Sequence, residues 1–240
     1  MTGQISPDLP HLGHLPPIKE IYLSIAKPVA ALILHTYWRV SVHGAEHVPT
    51  EGPVILAANH IGFLDGPVLV AMTRRLSFVL AKRELFQGAL GQFLGRVGQI
   101  PIDRSGVDKH AINRSIQVLR SDRVMIVFPE GVRGTGEVAY ARGGAAYLAM
   151  VTGAPIVPVA LLGTRQTGQS AGQMPPRGTR LHVVYGEPLQ VARSDWPRRK
   201  AAVAELTERV RSHLAEHVIA AQALTGLPLP GPPKAKPRLT

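Results

Sequence analysis

Apolar residues along this chain fall into two alternating kinds of run. Short, nearly continuous apolar stretches at Pro53 to Ala58, Ser77 to Ala81, Gln99 to Ile102, Val124 to Phe128, Pro155 to Leu161 and Leu181 to Tyr185 predict strands. Between them lie segments whose apolar residues recur at helical spacing. These predict helices over Gly66 to Arg74, Gln87 to Val97, Val107 to Leu119, Ala141 to Val151 and Arg198 to about Gln222. In the third of these, Ile112, Ile116 and Leu119 share one face while Lys109, Asn113, Arg114 and Arg120 point elsewhere. Strands alternating with helices of this length predict an α/β fold, an αβα sandwich around a largely parallel central sheet. In such sheets the reactive groups gather in loops beyond the strand ends.

The two ends of the chain break this pattern. Residues 1–17 carry four prolines and no apolar period, lack the basic start and small-residue cleavage site of a signal peptide, and are expected to form a loose arm. Residues 18–42 turn apolar, with Ile21, Tyr22, Ile25, Val29, Leu32 and Ile33 at helical spacing, interrupted by Lys27-Pro28 and His35. No uninterrupted apolar span of ~20 residues exists there, which argues against a membrane-crossing helix. An amphipathic helix with Tyr37 and Trp38 at its end suits the surface of a bilayer, and the same pattern also suits a helix packed on the domain core. The α/β domain then spans 43–222. The tail, 223–240, is Pro-rich and basic, and is expected to be disordered or a weak tether to anionic surfaces.

Composition narrows the chemistry. The absence of cysteine removes disulfides, thiolate zinc sites and cysteine nucleophiles, and leaves a cytoplasmic location open. With 27 basic against 16 acidic side chains the protein carries +11, a field that attracts an anionic membrane surface or a polyanion. Nucleic acid is set aside, because aromatics are few and neither a basic-aromatic stripe nor a recognition-helix module is present. Arginine supplies 20 of the 27 positive charges, and its planar fork suits phosphate.

Three predicted strand ends carry reactive groups. The first runs Asn59-His60-Ile61-Gly62-Phe63-Leu64-Asp65. A neutral imidazole can take the proton of an attacking alcohol, and a carboxylate on its other nitrogen fixes the tautomer. Five residues do not place both groups on one helix face, so a strand-loop-helix corner must bring them together. Asp65 before Gly66-Pro67 would also serve as a helix cap, and His60 as a buried strand-end residue. The second strand end is Ile102-Asp103-Arg104, and the third is Pro129-Glu130-Gly131-Val132-Arg133-Gly134. A base and two arginines at one edge of a sheet would anchor a phosphate beside an activated hydroxyl.

In sequence order, NHIGFLD, GQIPIDR, FPEGVRG and APIVPVAL resemble the four blocks of the bacterial 1-acylglycerol-3-phosphate acyltransferase family, between Asn59 and Leu161. The AKRELF segment, Ala81 to Phe86, is similar to that family as well. The resemblance implies that His60 is the general base, Asp65 its orienting partner and Arg104 the principal phosphate contact. Glu130 and Gly131 would belong to the acceptor pocket, Arg133 would match the third block's arginine, and Pro155 and Pro158 would shape the acyl side. It implies a lysophospholipid acceptor, acyl-CoA or acyl-carrier protein as co-substrate, no metal or other cofactor, and work at the cytoplasmic face of the membrane. Val132 and Gly134 stand where the third block usually has hydroxyl residues, which leaves the acceptor head group less defined than the reaction.

Two other motifs compete. Gly168-Gln169-Ser170-Ala171-Gly172 spells the serine-hydrolase elbow, but polar residues precede it and Pro175-Pro176 block a helix behind it. His213-Leu214-Ala215-Glu216-His217 has zinc-like spacing on a helix, yet no Asp or Glu follows it to complete a site.

Overall fold

The computed structural model describes Leu15 and residues 20–103 and 106–235. Seven strands form one sheet: β1 (Arg39–His43), β2 (Val54–Ala58), β3 (Ser77–Lys82), β4 (Ile100–Ile102), β5 (Val124–Val127), β6 (Ile156–Leu162) and β7 (Arg180–Tyr185). Their order is β1-β7-β6-β2-β5-β3-β4, and every neighbouring pair is parallel except β6 and β7. The helices are α1 (Ile21–Tyr37), α2 (Asp65–Met72), α3 (Gly88–Arg96), α4 (Lys109–Arg120), α5 (Gly144–Thr152) and α6 (Lys200–Thr225). The expected αβα sandwich around a largely parallel sheet is what forms.

Every residue of β2, β5 and β6 is buried, because helices cover both faces of these central strands. Alternate residues serve opposite layers. Ile55, Ala57, Met125 and Val127 pack with α4, α5 and α6, whereas Val54, Leu56, Ala58 and Ile126 pack with α1 and α2. Since β2, β5 and β6 are parallel, their last residues lie along one rim of the sheet, and the loops beyond that rim carry the candidate chemistry.

Three expectations need correction. Residues 39–43, divided between the helical segment and the start of the domain, form β1, an edge strand paired in register with β7. Its alternation is too short to show as a strand signal, and long-range pairing rather than local pattern creates it. Lys27-Pro28 does not interrupt α1: the helix runs through Pro28, which lies on an exposed side where the carbonyl it leaves unpaired can meet water. The tail is not loose over the stretch described. Residues 226–235 pack back on the domain, with Leu227 and Leu229 against α6 and Pro230 buried. Gly231 and Lys234 are hydrogen-bonded to Arg165 and Gln169. Proline removes backbone donors, but the intervening leucines still bury apolar surface. Of the N-terminal arm only Leu15 is among the described residues.

The apolar stripe of α1 divides by face. Leu23, Ala26, Ala30 and Leu34 turn inward, while Ile21, Tyr22, Ile25, Val29, Leu32, Ile33 and Tyr37 are all about half or more exposed. A helix apolar on both sides in this way has a second face that the other described residues leave uncovered.

Candidate active site

At the end of β2 the ladder gives way to a side chain. Asn59 accepts the Leu161 N–H at 2.7 Å and donates to the Leu161 carbonyl at 3.1 Å, so its amide takes the place of a strand pair at the β6 edge. The next residue, His60, is gripped by the loop after β5. Its N–H donates to Glu130 Oε1 at 2.9 Å, and its carbonyl accepts from the Gly134 N–H at 2.8 Å. The imidazole stacks on Phe128, with centroids 4.2 Å apart.

Asp65 opens α2, and its carboxylate turns back on the preceding loop instead of capping the helix ahead. Oδ2 accepts the N–H groups of Ile61 at 2.7 Å and Gly62 at 2.8 Å and lies 2.8 Å from His60 Nδ1. The cap reading is therefore replaced by a strand-loop-helix corner that joins the pair. With Nδ1–H donated to Asp65, Nε2 is the ring's acceptor, the state a general base requires. Asp65 is fully buried and its other oxygen accepts the Thr164 hydroxyl.

His60 also lines a cavity of about 700 Å³. Its walls come from the inner face of α1 (Leu23, Ala26), from α2 (Pro67, Val70), from β3 (Leu80) and from α3 (Leu90, Phe93, Leu94). Arg133 stands in the same cavity, its guanidinium 5.3 Å from the centre of the Phe63 ring and one nitrogen 3.3 Å from the Ala171 carbonyl. Burial lowers its pKa and the charge of Asp65 partly opposes this, yet a guanidinium stays cationic under such shifts. The arrangement thus places a base and a fixed positive charge at an apolar cavity.

Glu130 and Gly131 are brought to the site but not into the cavity wall. The Glu130 carboxylate lies behind His60, and Gly131 has φ +71° with the Arg142 side chain where a Cβ would stand. Arg104 lies outside the described residues. Its neighbour Asp103 donates its N–H at 2.9 Å to Asp108, the residue that caps α4. Sequence reasoning did not reach Asn59, Phe128, Thr164 or Arg165 as site residues. A buried polar pair directly after the apolar run of β6 was the only local hint of the last two.

Desolvation raises the Glu130 pKa from 4.5 to about 7; the His60 N–H opposes the shift, and the charges of Asp65 and Glu137 add to it. The unfolded chain ionises near 4.5 while the folded one holds its proton to about 7, so this group costs stability progressively as pH rises through that window. Glu130→Gln keeps an acceptor for the His60 N–H and removes the cost. Its melting temperature relative to wild type is expected to climb between pH 5 and pH 8, by the equivalent of about 2 kcal/mol after allowance for solvent screening. A pH-independent difference in a thermal-denaturation series would contradict this.

The competing motifs find other uses. Ser170 sits in the loop after β6, in a turn where its N–H donates to Gln173, with neither a strand before it nor a helix after. His213 and His217 point ring nitrogens at the carbonyls of Glu187 and Val184.

A buried His–Asp pair at the strand-end rim of an αβα sheet, beside an apolar cavity with an arginine in its wall, has the groups that activating a hydroxyl requires. The family model described as Acyltransferase matches residues 39–162, just over half of the chain, and the chain belongs to that family. It is 29% identical over 187 residues to 1-acyl-sn-glycerol-3-phosphate acyltransferase of Bacillus subtilis (strain 168), covering 77% of this chain and 91% of that protein. It is 32% identical over 140 residues to the protein of the same name from Streptococcus pneumoniae (strain ATCC BAA-255 / R6), covering 55% of this chain and 52% of that one. The fold matches the crystal structure of the 1-acyl-sn-glycerophosphate (LPA) acyltransferase PlsC from Thermotoga maritima. The TM-score there is 0.65 at 21% identity, over 84% of this chain and 80% of that one.

Proposed function

We propose that this chain transfers a fatty acyl group from a thioester, acyl-CoA or acyl-carrier protein, to the free hydroxyl of 1-acylglycerol 3-phosphate, giving phosphatidic acid for phospholipid synthesis. The observation that carries this reading is the His60–Asp65 pair opening on an apolar cavity that also contains Arg133. Two relatives named 1-acyl-sn-glycerol-3-phosphate acyltransferase support the acceptor.

In this mechanism His60 Nε2 takes the proton of the acceptor hydroxyl as its oxygen attacks the thioester carbonyl. The tetrahedral adduct collapses with release of thiolate, which needs no acid of its own, and the proton passes from the imidazolium to solvent or to the thiolate. Asp65 stabilises the imidazolium and fixes the ring, a contribution of general-base catalysis of about 10²–10⁴-fold. Arg133, with Arg104 by resemblance, holds the acceptor phosphate. The thioester carries the activation, so no metal or organic cofactor is called for. Val132 and Gly134 favour a second reading of the acceptor, another lysophospholipid, because the pocket lacks two hydroxyl donors there.

The membrane enters through α1. One face lines the cavity and the other exposes Ile25, Leu32 and their neighbours, while Leu90 and Phe93 of α3 are half exposed nearby in the cavity wall. Among the described residues no helix is long and apolar enough to cross a membrane. A protein lying on the cytoplasmic face with α1 in the bilayer surface would take up lipid chains without passing them through water, and would meet soluble thioesters on its other side.

One experiment tests both parts. Purified protein with anionic liposomes and oleoyl-CoA or oleoyl-carrier protein is expected to release thiol only when lysophosphatidic acid is present, and to sediment with the vesicles. The double substitution Ile25→Glu, Leu32→Glu should leave the protein in the supernatant. No acceptor-dependent release with either donor sinks the transferase reading. Release with a different lysolipid alone moves the acceptor, and co-sedimentation of the double variant removes α1 from the interface.

A further inference from the structure

We propose that Thr164 and Arg165, which follow the Gly163 turn at the end of β6, are positioning residues for the His60–Asp65 pair; the proposal rests on the reading of His60 as the base. Asp65 Oδ2 already serves three donors, the His60 ring and two backbone N–H groups. Its second oxygen, Oδ1, accepts the Thr164 hydroxyl. A carboxylate held at one oxygen can still rotate about its own bond; held at both, it cannot. Both residues have no exposed surface, so water cannot take over the Thr164 contact.

Arg165 holds the loop itself. It is the largest fully buried side chain, at 1% exposure, and among the described residues no carboxylate lies within ion-pair distance of it. Its guanidinium instead donates to four carbonyls: Ile61 at 2.6 Å through Nε, Gly134 at 2.9 Å and Gly231 at 2.6 Å through Nη2, and Gln169 at 3.3 Å through Nη1. Two of these are pointed choices. Ile61 directly follows His60, and Gly134 is the residue whose N–H fixes the His60 carbonyl. The backbone of residues 164–165 also touches the loop, since a Cβ on Gly62 would come within 2.6 Å of the Thr164 carbonyl oxygen. A buried guanidinium without an ion-pair partner is costly, and here the nearby charge of Asp65 helps to keep it charged. The five-donor fork reaches several carbonyls at once, which an ammonium on the same site would not.

Neither residue lies in the wall of the acyl cavity, so the two should affect the chemical step and leave substrate binding alone. The test compares Thr164→Val, nearly isosteric but without the hydroxyl, with Thr164→Ser, which keeps it. Arg165→Lys and His60→Ala accompany them in the acceptor-dependent thiol-release assay, with melting curves for each. Thr164→Val is expected to lower kcat about 10- to 100-fold with KM within about threefold, and Thr164→Ser to stay within about threefold of wild type in both. Arg165→Lys should lower kcat about tenfold at unchanged KM. A folded Thr164→Val with wild-type kcat, equal losses for Val and Ser, or a loss seen in KM alone would overturn the proposal. Should Arg165→Lys fail to fold, the Thr164 pair decides it. A His60→Ala variant as active as wild type would bring down the base assignment and with it this inference, whereas an inactive His60→Ala beside an unaffected Thr164→Val removes only the positioning role.

Discussion

His60→Ala is expected to lower acceptor-dependent thiol release by at least about a thousandfold while leaving a folded protein. The separation of the two effects follows from how the residue is held. Its backbone N–H and carbonyl are bound by Glu130 and Gly134, contacts that alanine keeps. What disappears is the ring, with its stacking on Phe128 and its bond to Asp65. The stability loss should therefore be modest, while the reaction loses the only imidazole at the cavity among the described residues. Steady-state kinetics alongside a melting curve would check this, and residual activity above about a tenth of wild type would show that another group or solvent takes the proton.

Substitution of Asp65 should divide according to the replacement. Asparagine can present its oxygen to the His60 ring, Ile61 and Gly62 and donate from its amide nitrogen to the Thr164 hydroxyl oxygen, so the Thr164 hydroxyl proton is the donor that loses its acceptor. The variant loses the negative charge that, in the proposed mechanism, stabilises the imidazolium. Asp65→Asn is expected to fall about 10²–10⁴-fold in kcat with a smaller loss of melting temperature than Asp65→Ala. Alanine leaves the Ile61 and Gly62 N–H groups and the Thr164 hydroxyl without a partner inside the protein. At about 1–3 kcal/mol for each buried unsatisfied group, Asp65→Ala should lose both activity and several kcal/mol of stability. Near-wild-type activity in Asp65→Asn, beside the stability loss of Asp65→Ala, would mean that Asp65 serves only to shape the loop.

The pair itself was readable in advance because His60 and Asp65 lie five residues apart on one corner, so a local motif contains both. The αβα layering was readable for a similar reason: the runs of β2, β5 and β6 are continuous and apolar wherever both faces are covered. What escaped depends on distant partners. Asn59 matters through Leu161, Asp65 through Thr164, and Ile61 through Arg165, each about a hundred residues further along the chain. No periodicity encodes such contacts. Glu130 was expected in the acceptor pocket, and only the fold shows that its carboxylate faces the backbone of His60 and stays out of the cavity wall. β1 was hidden because an edge strand draws its stability from β7 and shows little pattern of its own. Proline content, a sound guide to looseness in isolation, misjudged residues 226–235 because it gives no weight to Leu227, Leu229 and an arginine in need of acceptors.

The bond between Arg165 and the Gly231 carbonyl also sets a clock on biosynthesis. A ribosome makes His60 and Asp65 early and reaches Gly231 only after the whole of α6, on the order of ten seconds later at about 5–20 residues per second. Until then one of the four carbonyls that hold the guanidinium has not been made, and Leu229 is missing from its place beside Gly136 near the catalytic loop. A nascent chain that has not reached Gly231 thus carries an incompletely braced His60–Asp65 corner, and the last stretch of synthesis is what locks it.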